Sequence, residues 1–361
     1  MTWIAGRQGF GPGDQDWGYV TVRKKAHMFW WLFYFNPPIK SKDFNVFQKP
    51  LLIWLQGGPG VSSTGFGNFE EIGPLDVHFN PRNSTWVHYY NILFIDQPVG
   101  TGFSYVDSRA NDSSNRIFPL QNVRDIFNCI KKIWKRFKEF ETIPTYIIGE
   151  SYGGRVVVKL AQMWYQKQNS GWIKSNLKGI ALGNAWISPM DSIRSWAPYL
   201  LEMGMIDTVG FTTIEDHVRK IVSAVDGKKW ILAKKSMDNA IDVIYTLTYD
   251  ANIYNILIEQ KSKSCSHNRN LSSIEETNIE ILTNLLKRII NNNVTSALGI
   301  THKNWEVFCR EVYNSYIRDF LKPVTHTVED LLNQTNLEIV VYHGHLDMLV
   351  PIHSTLTWLE N

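Results

Sequence analysis

The sequence predicts an α/β chain: a central, mostly parallel sheet flanked by helices, with a helical insertion in its second half. Three observations predict it. Residues 147–154 read Ile-Ile-Gly-Glu-Ser-Tyr-Gly-Gly, an apolar strand ending in Gly-x-Ser-x-Gly and running directly into a helix. Short apolar runs of strand length alternate with helix-period segments through the first half of the chain, the order expected of a sheet covered by helices. From Pro189 to Leu321 the strand pattern stops and helical periodicity takes over, before a last strand follows at Leu337. The expected division is therefore 1–188, the first part of the core; 189–321, a helical insertion; and 322–361, the second part of the core.

The elements follow in order. Tyr19–Arg23 and His27–Phe35 read as an N-terminal hairpin. Leu51–Gln56, Asn91–Asp96, Tyr146–Ile148, Lys178–Leu182 and Leu337–Tyr342 read as sheet strands, the last of them buried. Gln121–Phe140 is an amphipathic helix with Ile130, Ile133, Trp134 and Phe137 turned inward, and the cations of Lys131–Lys138 form its solvated face. Cys129 is expected to pack within it. Arg155–Tyr165 is an apolar-periodic helix leaving the serine turn, and Ile279–Ile290 is a helix of the insertion. That insertion is expected above the strand ends, as a lid.

Composition excludes some classes. The chain has 361 residues, enough for one large α/β domain with an insertion, and its formal charge of +3 is too small to suggest nucleic acid. Its longest apolar stretch, Met28–Phe35, is far too short to span a membrane. Met1–Asp16 is polar and Gly-rich and lacks the apolar centre of a secretory leader. Three cysteines allow one disulfide, with Cys265 and Cys309 as the candidate pair, and no His/Cys cluster has metal-ligand spacing. Asn83, Asn111, Asn270, Asn293 and Asn333 open Asn-x-Ser/Thr sequons, which support secretion only weakly in a chain this rich in Asn.

The chemistry centres on Ser151. A strand-to-helix turn exposes its hydroxyl with a helix N-terminus behind it, and Gly149 and Gly153 keep the turn free of side chains. A nucleophilic serine needs a base, a group that orients the base, and donors for the oxyanion. Asp347 lies just beyond the strand ending at Tyr342, where open α/β sheets place their sites, and is the candidate acid. The base is not evident. His343 and His345 precede Asp347 and read as strand-end or exposed residues, and His353 falls on the first turn of the next helix.

Several longer blocks carry a resemblance. Trp54-Leu55-Gln56-Gly57-Gly58-Pro59-Gly60, Glu71-Ile72-Gly73-Pro74, Asp96-Gln97-Pro98-Val99-Gly100-Thr101-Gly102-Phe103-Ser104-Tyr105, the Ser151 turn and Gly183-Asn184-Ala185-Trp186-Ile187-Ser188-Pro189 resemble the serine carboxypeptidase family in content, order and spacing. The similarity runs from about Trp17 to Trp358 and is diffuse only between roughly residues 205 and 320. It implies an α/β-hydrolase fold, no cofactor, and the C-termini of peptides or proteins as partners, with no nucleic acid and no membrane. It implies an oxyanion hole from the N–H groups of Gly58 and Tyr152. It also implies a substrate-carboxylate site from Gln56, Gly57, Glu71 and Glu150. Two carboxyls brought together cannot both ionise easily, so one keeps a proton to donate to the substrate, and activity is expected at acidic pH. The family commonly has Asn where this chain has Gln56, one methylene longer. The family's Gly-His-Met-Val-Pro region would come after Asn361, so the chain as given is expected to lack its base and to be nearly inactive. Family members are usually secreted or lysosomal, so the resemblance, with no leader in Met1–Asp16, implies an incomplete N-terminus. Alternatives are a catalytically inactive peptide-binding relative and a hydrolase-fold acyltransferase or esterase; the glutamate pair favours the peptidase, because neutral esters have no terminal carboxylate to bind.

Overall fold

A computed structural model describes residues 6–40, 44–107, 119–258, 278–301 and 304–361. The expected hairpin is β2 (Asp14–Arg23) and β3 (Ala26–Phe33), preceded by a two-residue strand β1 (Arg7–Gln8). The remaining strands are β4 (Leu51–Leu55), β5 (Asn91–Ile95), β6 (Tyr105–Val106), β7 (Thr145–Glu150), β8 (Leu177–Gly183) and β9 (Glu338–Tyr342). They form one nine-stranded sheet in the order β1-β2-β3-β5-β4-β7-β8-β9, with β6 paired to β3. The pairs from β5 through β4, β7 and β8 to β9 are parallel, and the N-terminal strands are antiparallel. This is the mostly parallel sheet, flanked by helices, of an α/β-hydrolase fold.

Burial follows from position in the sheet. Every residue of β4 and β5 is buried, as expected for central strands covered on both faces. The strand expected to be buried at Leu337–Tyr342 is instead an edge strand, with Val340 54% exposed. The difference has a simple cause: among the described residues β9 pairs only with β8, so it is covered along one edge alone.

Helix α1 (Pro119–Arg136) packs on β2 and β3, and α2 (Tyr152–Asn169) packs on β4, β7 and β8. The two helices meet through Trp134 and Trp164, whose rings lie edge to face at 5.8 Å. Ile126, Cys129, Ile130 and Ile133 of α1 are buried while Lys132, Lys135 and Arg136 stay exposed, which is the expected amphipathic division. The helix ends at Arg136, short of the Phe140 expected, because Phe137 leaves helical geometry.

The described chain divides into two compact units. The first comprises Met1–Ala185, Leu285–Tyr316 and His326–Tyr342, and it holds the whole sheet. The second comprises Trp186–Asn284, Ile317–Thr325 and His343–Asn361. The other helices are α3 (Pro189–Glu202), α4 (Thr208–Asp226), α5 (Trp230–Leu247), α6 (Asn278–Ile289), α7 (Thr295–Leu298), α8 (Arg310–Ser315), α9 (Thr325–Gln334) and α10 (Ile352–Glu360). Within the second unit α3 packs against α4 and α10, and α4 against α5. Among the described residues no helix is long and apolar enough to cross a membrane. Cys265, the candidate partner of Cys309, and the sequons at Asn111 and Asn270 lie outside the described residues.

Candidate active site

Ser151 occupies the turn between β7 and α2 with φ 52° and ψ −123°. A side-chain-bearing residue held there costs roughly 1–3 kcal/mol, so the surroundings must enforce it. They do so by close approach. A Cβ on Gly153 would lie 2.1 Å from the Leu55 carbonyl oxygen, and one on Gly149 would lie 2.6 Å from the Gly153 backbone. The Ser151 N–H donates to the Gly183 carbonyl at 3.0 Å, tying the turn to β8.

The loop after β4 lies against this turn. A Cβ on Gly57 would meet the Glu150 carbonyl oxygen at 2.8 Å, Ser151 Cβ at 2.9 Å and the Tyr152 nitrogen at 3.1 Å. Gly58 and Gly60 have φ of +103° and +100°, which glycine adopts without steric cost. Among the described residues neither the Gly57 nor the Gly58 N–H finds an acceptor. Backbone N–H groups without an acceptor among the described residues, next to a strained serine, are suited to an oxygen that arrives with a substrate.

Gln56 is held from four sides. Its N–H donates to Ser63 Oγ at 3.0 Å, and its carbonyl accepts from Gln97 Nε2 at 2.8 Å. Trp54 Nε1 donates to its Oε1 at 2.7 Å. An indole N–H can only donate, so the amide oxygen faces Trp54 and the amide nitrogen faces away. That nitrogen lies 3.2 Å from Glu71 Oε1 and 3.4 Å from Glu150 Oε1. The longer side chain at position 56 therefore reaches both glutamates.

Glu71 sits on a ten-residue π-helix, Ser63–Ile72, which packs on β4 and β5, and Glu150 is the last residue of β7. The two carboxyls lie within hydrogen-bond reach of each other. Burial pushes the Glu71 carboxyl well above the usual range, and repulsion from Glu150 pushes it further. Burial also raises Glu150, while its hydrogen bonds to Glu71 and Gln56 pull the other way. Next to them, burial pushes Glu70 up to about 7 against the pull of Arg82.

The remaining candidate acid lies in the second unit. Asp347 is 7% exposed and its Oδ1 accepts the Val350 N–H at 2.9 Å. Of the nearby histidines, His343 has Nε2 2.7 Å from the Val350 carbonyl and Nδ1 3.0 Å from Thr355 Oγ1, so both ring nitrogens are engaged. Burial lowers its pKa, against the pull of the Val350 carbonyl. His353 is on the first turn of α10, as expected, with Nε2 3.7 Å from Glu202 on α3. Tyr199 Oη donates to the carbonyl of His345. Among the described residues no group of three or more His, Cys, Asp or Glu is placed to hold a metal ion.

Three residues of this region were missed by sequence reasoning. Asp96, just past β5, is fully buried and accepts four bonds. Ser62 Oγ and the Thr64 N–H reach Oδ1 at 2.8 and 3.0 Å, and Thr64 Oγ1 and the Phe103 N–H reach Oδ2 at 2.7 and 2.8 Å. Burial raises its pKa while these donors pull it down. Gln97 holds the Gln56 carbonyl. Tyr342 shares a row of the sheet with Gly183 and Glu150, and its ring covers Gly183, where an added Cβ would meet Tyr342 Oη at 2.4 Å. Burial and the charges of Glu150 and Glu71 raise the Tyr342 pKa. Asp96 and Gln97 lie inside a recognised block, but nothing in that block's sequence tells a brace from a ligand.

A parallel sheet with a strained serine between a strand and the helix it leads into, faced by a glycine loop with open N–H groups, defines a hydrolase of the α/β-hydrolase class. The chain belongs to the serine carboxypeptidase family, whose sequence profile matches residues 7–361. It is thus a hydrolase of the protease class. The retinoid-inducible serine carboxypeptidase of Mus musculus is 38% identical over 365 residues, which cover 96% of this chain and 77% of the mouse protein. Serine carboxypeptidase-like 51 of Arabidopsis thaliana is 30% identical over 366 residues, covering 96% of this chain and 78% of that protein. A prohormone-processing carboxypeptidase of Saccharomyces cerevisiae has a similar structure, with a TM-score of 0.77 over 97% of this chain and 77% of the yeast chain, at 22% identity.

Proposed function

We propose that this carboxypeptidase removes C-terminal residues from peptides through an acyl-enzyme on Ser151. Ser151 Oγ attacks the carbonyl of the last peptide bond, and the N–H groups of Gly58 and Tyr152 stabilise the oxyanion. The departing residue leaves by its amine, and water then attacks the ester and returns the serine. The proton is carried by a histidine oriented by Asp347. His343 is not that histidine, since both its ring nitrogens are engaged, and neither His345 nor His353 is assigned the role.

The observation that carries this reading is the cluster of Gln56, Glu71 and Glu150 beside the serine turn, with Gly57 between them. A carboxyl pair that retains a proton can donate to an incoming carboxylate, as can the Gln56 amide and the Gly57 N–H. A neutral ester or internal peptide bond offers no terminal carboxylate to these donors. Because the donor is lost when the pair ionises, binding is strongest at acidic pH, which suits a lysosomal or secreted enzyme. Ser151→Ala in the complete protein should abolish release of C-terminal residues at acidic pH, read by chromatography of the freed amino acid; undiminished release would refute the assignment.

A further inference from the structure

The amide of Gln97 has no place in the chemistry just described, yet it is 2% exposed and makes one bond on each side. Its Nε2 donates to the Gln56 carbonyl at 2.8 Å, and its Oε1 accepts from Asn122 Nδ2, on α1, at 2.7 Å. A carbonyl can only accept, so the orientation of the Gln97 amide is fixed, and with it the donor role of Asn122. The Gln56–Gly57 peptide bond is trans, since the cis bonds are those before Pro59 and Pro98. In a trans peptide the C=O and N–H point in opposite directions. The carbonyl faces Gln97 and the first turn of α2, where a Cβ on Gly153 would lie 3.1 Å from the Gln56 oxygen. The N–H of Gly57 therefore points away from Gln97, and it is buried with no acceptor among the described residues.

We infer that Gln97 is a positioning residue which, by gripping the Gln56 carbonyl, aims the Gly57 N–H at the terminal carboxylate of the substrate. Asn122 holds Gln97 in turn, so the line Asn122–Gln97–Gln56 runs from a helix at the edge of the core to the recognition group. With glycine at 57 no side chain limits rotation of the 56–57 peptide plane, so the bond to its carbonyl bears directly on where the N–H points. The inference rests on the proposed role of Gly57 as a carboxylate donor.

The test is a comparison of ligands that differ only at the C-terminus. Benzyloxycarbonyl dipeptides ending in Leu, Phe or Arg, each as free acid and as C-terminal amide, are titrated by calorimetry at pH 5 into the complete protein carrying Ser151→Ala, so that nothing turns over. The acid is expected to bind more tightly than the amide, and Gln97→Met is expected to reduce that preference about tenfold while leaving amide affinity within about twofold. Asn122→Ala should reduce it in the same direction by less, and carries the same test if Gln97→Met fails to fold. Acid and amide weakening in parallel, or an unchanged acid preference in both variants, would overturn the inference and leave Gln97 a core residue only. If the parent protein shows no acid preference for any of the three ligands, the proposed carboxylate site itself is wrong, and the inference falls with it.

Discussion

Asp96→Asn should destabilise the protein out of proportion to a change of one oxygen to one nitrogen. Each carboxylate oxygen takes one hydroxyl, which can rotate, and one backbone N–H, which cannot: Thr64 N on Oδ1 and Phe103 N on Oδ2. An asparagine must place its NH₂ on one side or the other. Whichever way it turns, it faces a fixed N–H and leaves that donor orphaned in a fully buried site. An orphaned buried donor costs about 1–3 kcal/mol, and replacing the charged acceptor weakens the surviving bonds, so a loss of about 3 kcal/mol is expected. Urea unfolding at pH 7 followed by tryptophan fluorescence, with 14 Trp as reporters, measures the total. Amide exchange at Thr64 and Phe103 locates it. A variant within about 0.5 kcal/mol of the parent, with both amides equally protected, would refute the reasoning. It would mean that the buried carboxyl is already neutral, its proton standing where the asparagine hydrogens would be.

Two further outcomes are expected. Glu71, Glu150 and Glu70 all have folded-state pKa values above the ordinary 4.5, so between that value and their raised values the folded chain holds protons that the unfolded chain has released. The stability they contribute is complete below about pH 4.5 and is lost as pH rises through the raised values; Glu150→Gln should flatten this dependence in thermal melts from pH 4 to 8, and an equally steep profile in the variant would place the titration elsewhere. Gly153→Ala should cost more than about 3 kcal/mol, since the new methyl meets a backbone carbonyl of β4 rather than a movable side chain, and a variant that melts with the parent would show the serine turn to be looser than described.

What was legible in the sequence is what local pattern decides. Leu51–Leu55 and Ile92–Ile95 are apolar at every position, and runs of that length between polar turns read as covered strands. Gly149 and Gly153 flag the serine turn because only their absence of side chains permits it. The segment Ser63–Ile72 was not legible as a helix. It contains two glycines and little apolar periodicity, and its shape depends on distant partners. The Trp305 ring fills the space above Gly65, where a Cβ would lie 2.0 Å from it, and the Trp305 indole donates to Ser62. The glutamate pair was named from resemblance, but that a single Gln56 amide joins both carboxyls depends on the Trp54 indole two residues away, and no spacing rule predicts it. The exposure of β9 was misjudged because apolar content shows that a strand has a covered face and not whether a second neighbour exists.

The left-handed backbone at Ser151 also has a consequence for how this chain can change over time. Glycine would occupy that position without strain, so every folded copy that keeps a serine there carries a standing energetic disadvantage of roughly 1–3 kcal/mol. Drift toward sturdier variants would erase the serine readily, and only the need for a hydroxyl at that point opposes it. The turn thus works as a ratchet: once glycine has replaced serine, regaining the hydroxyl would require the chain to accept the strain again before any benefit returned.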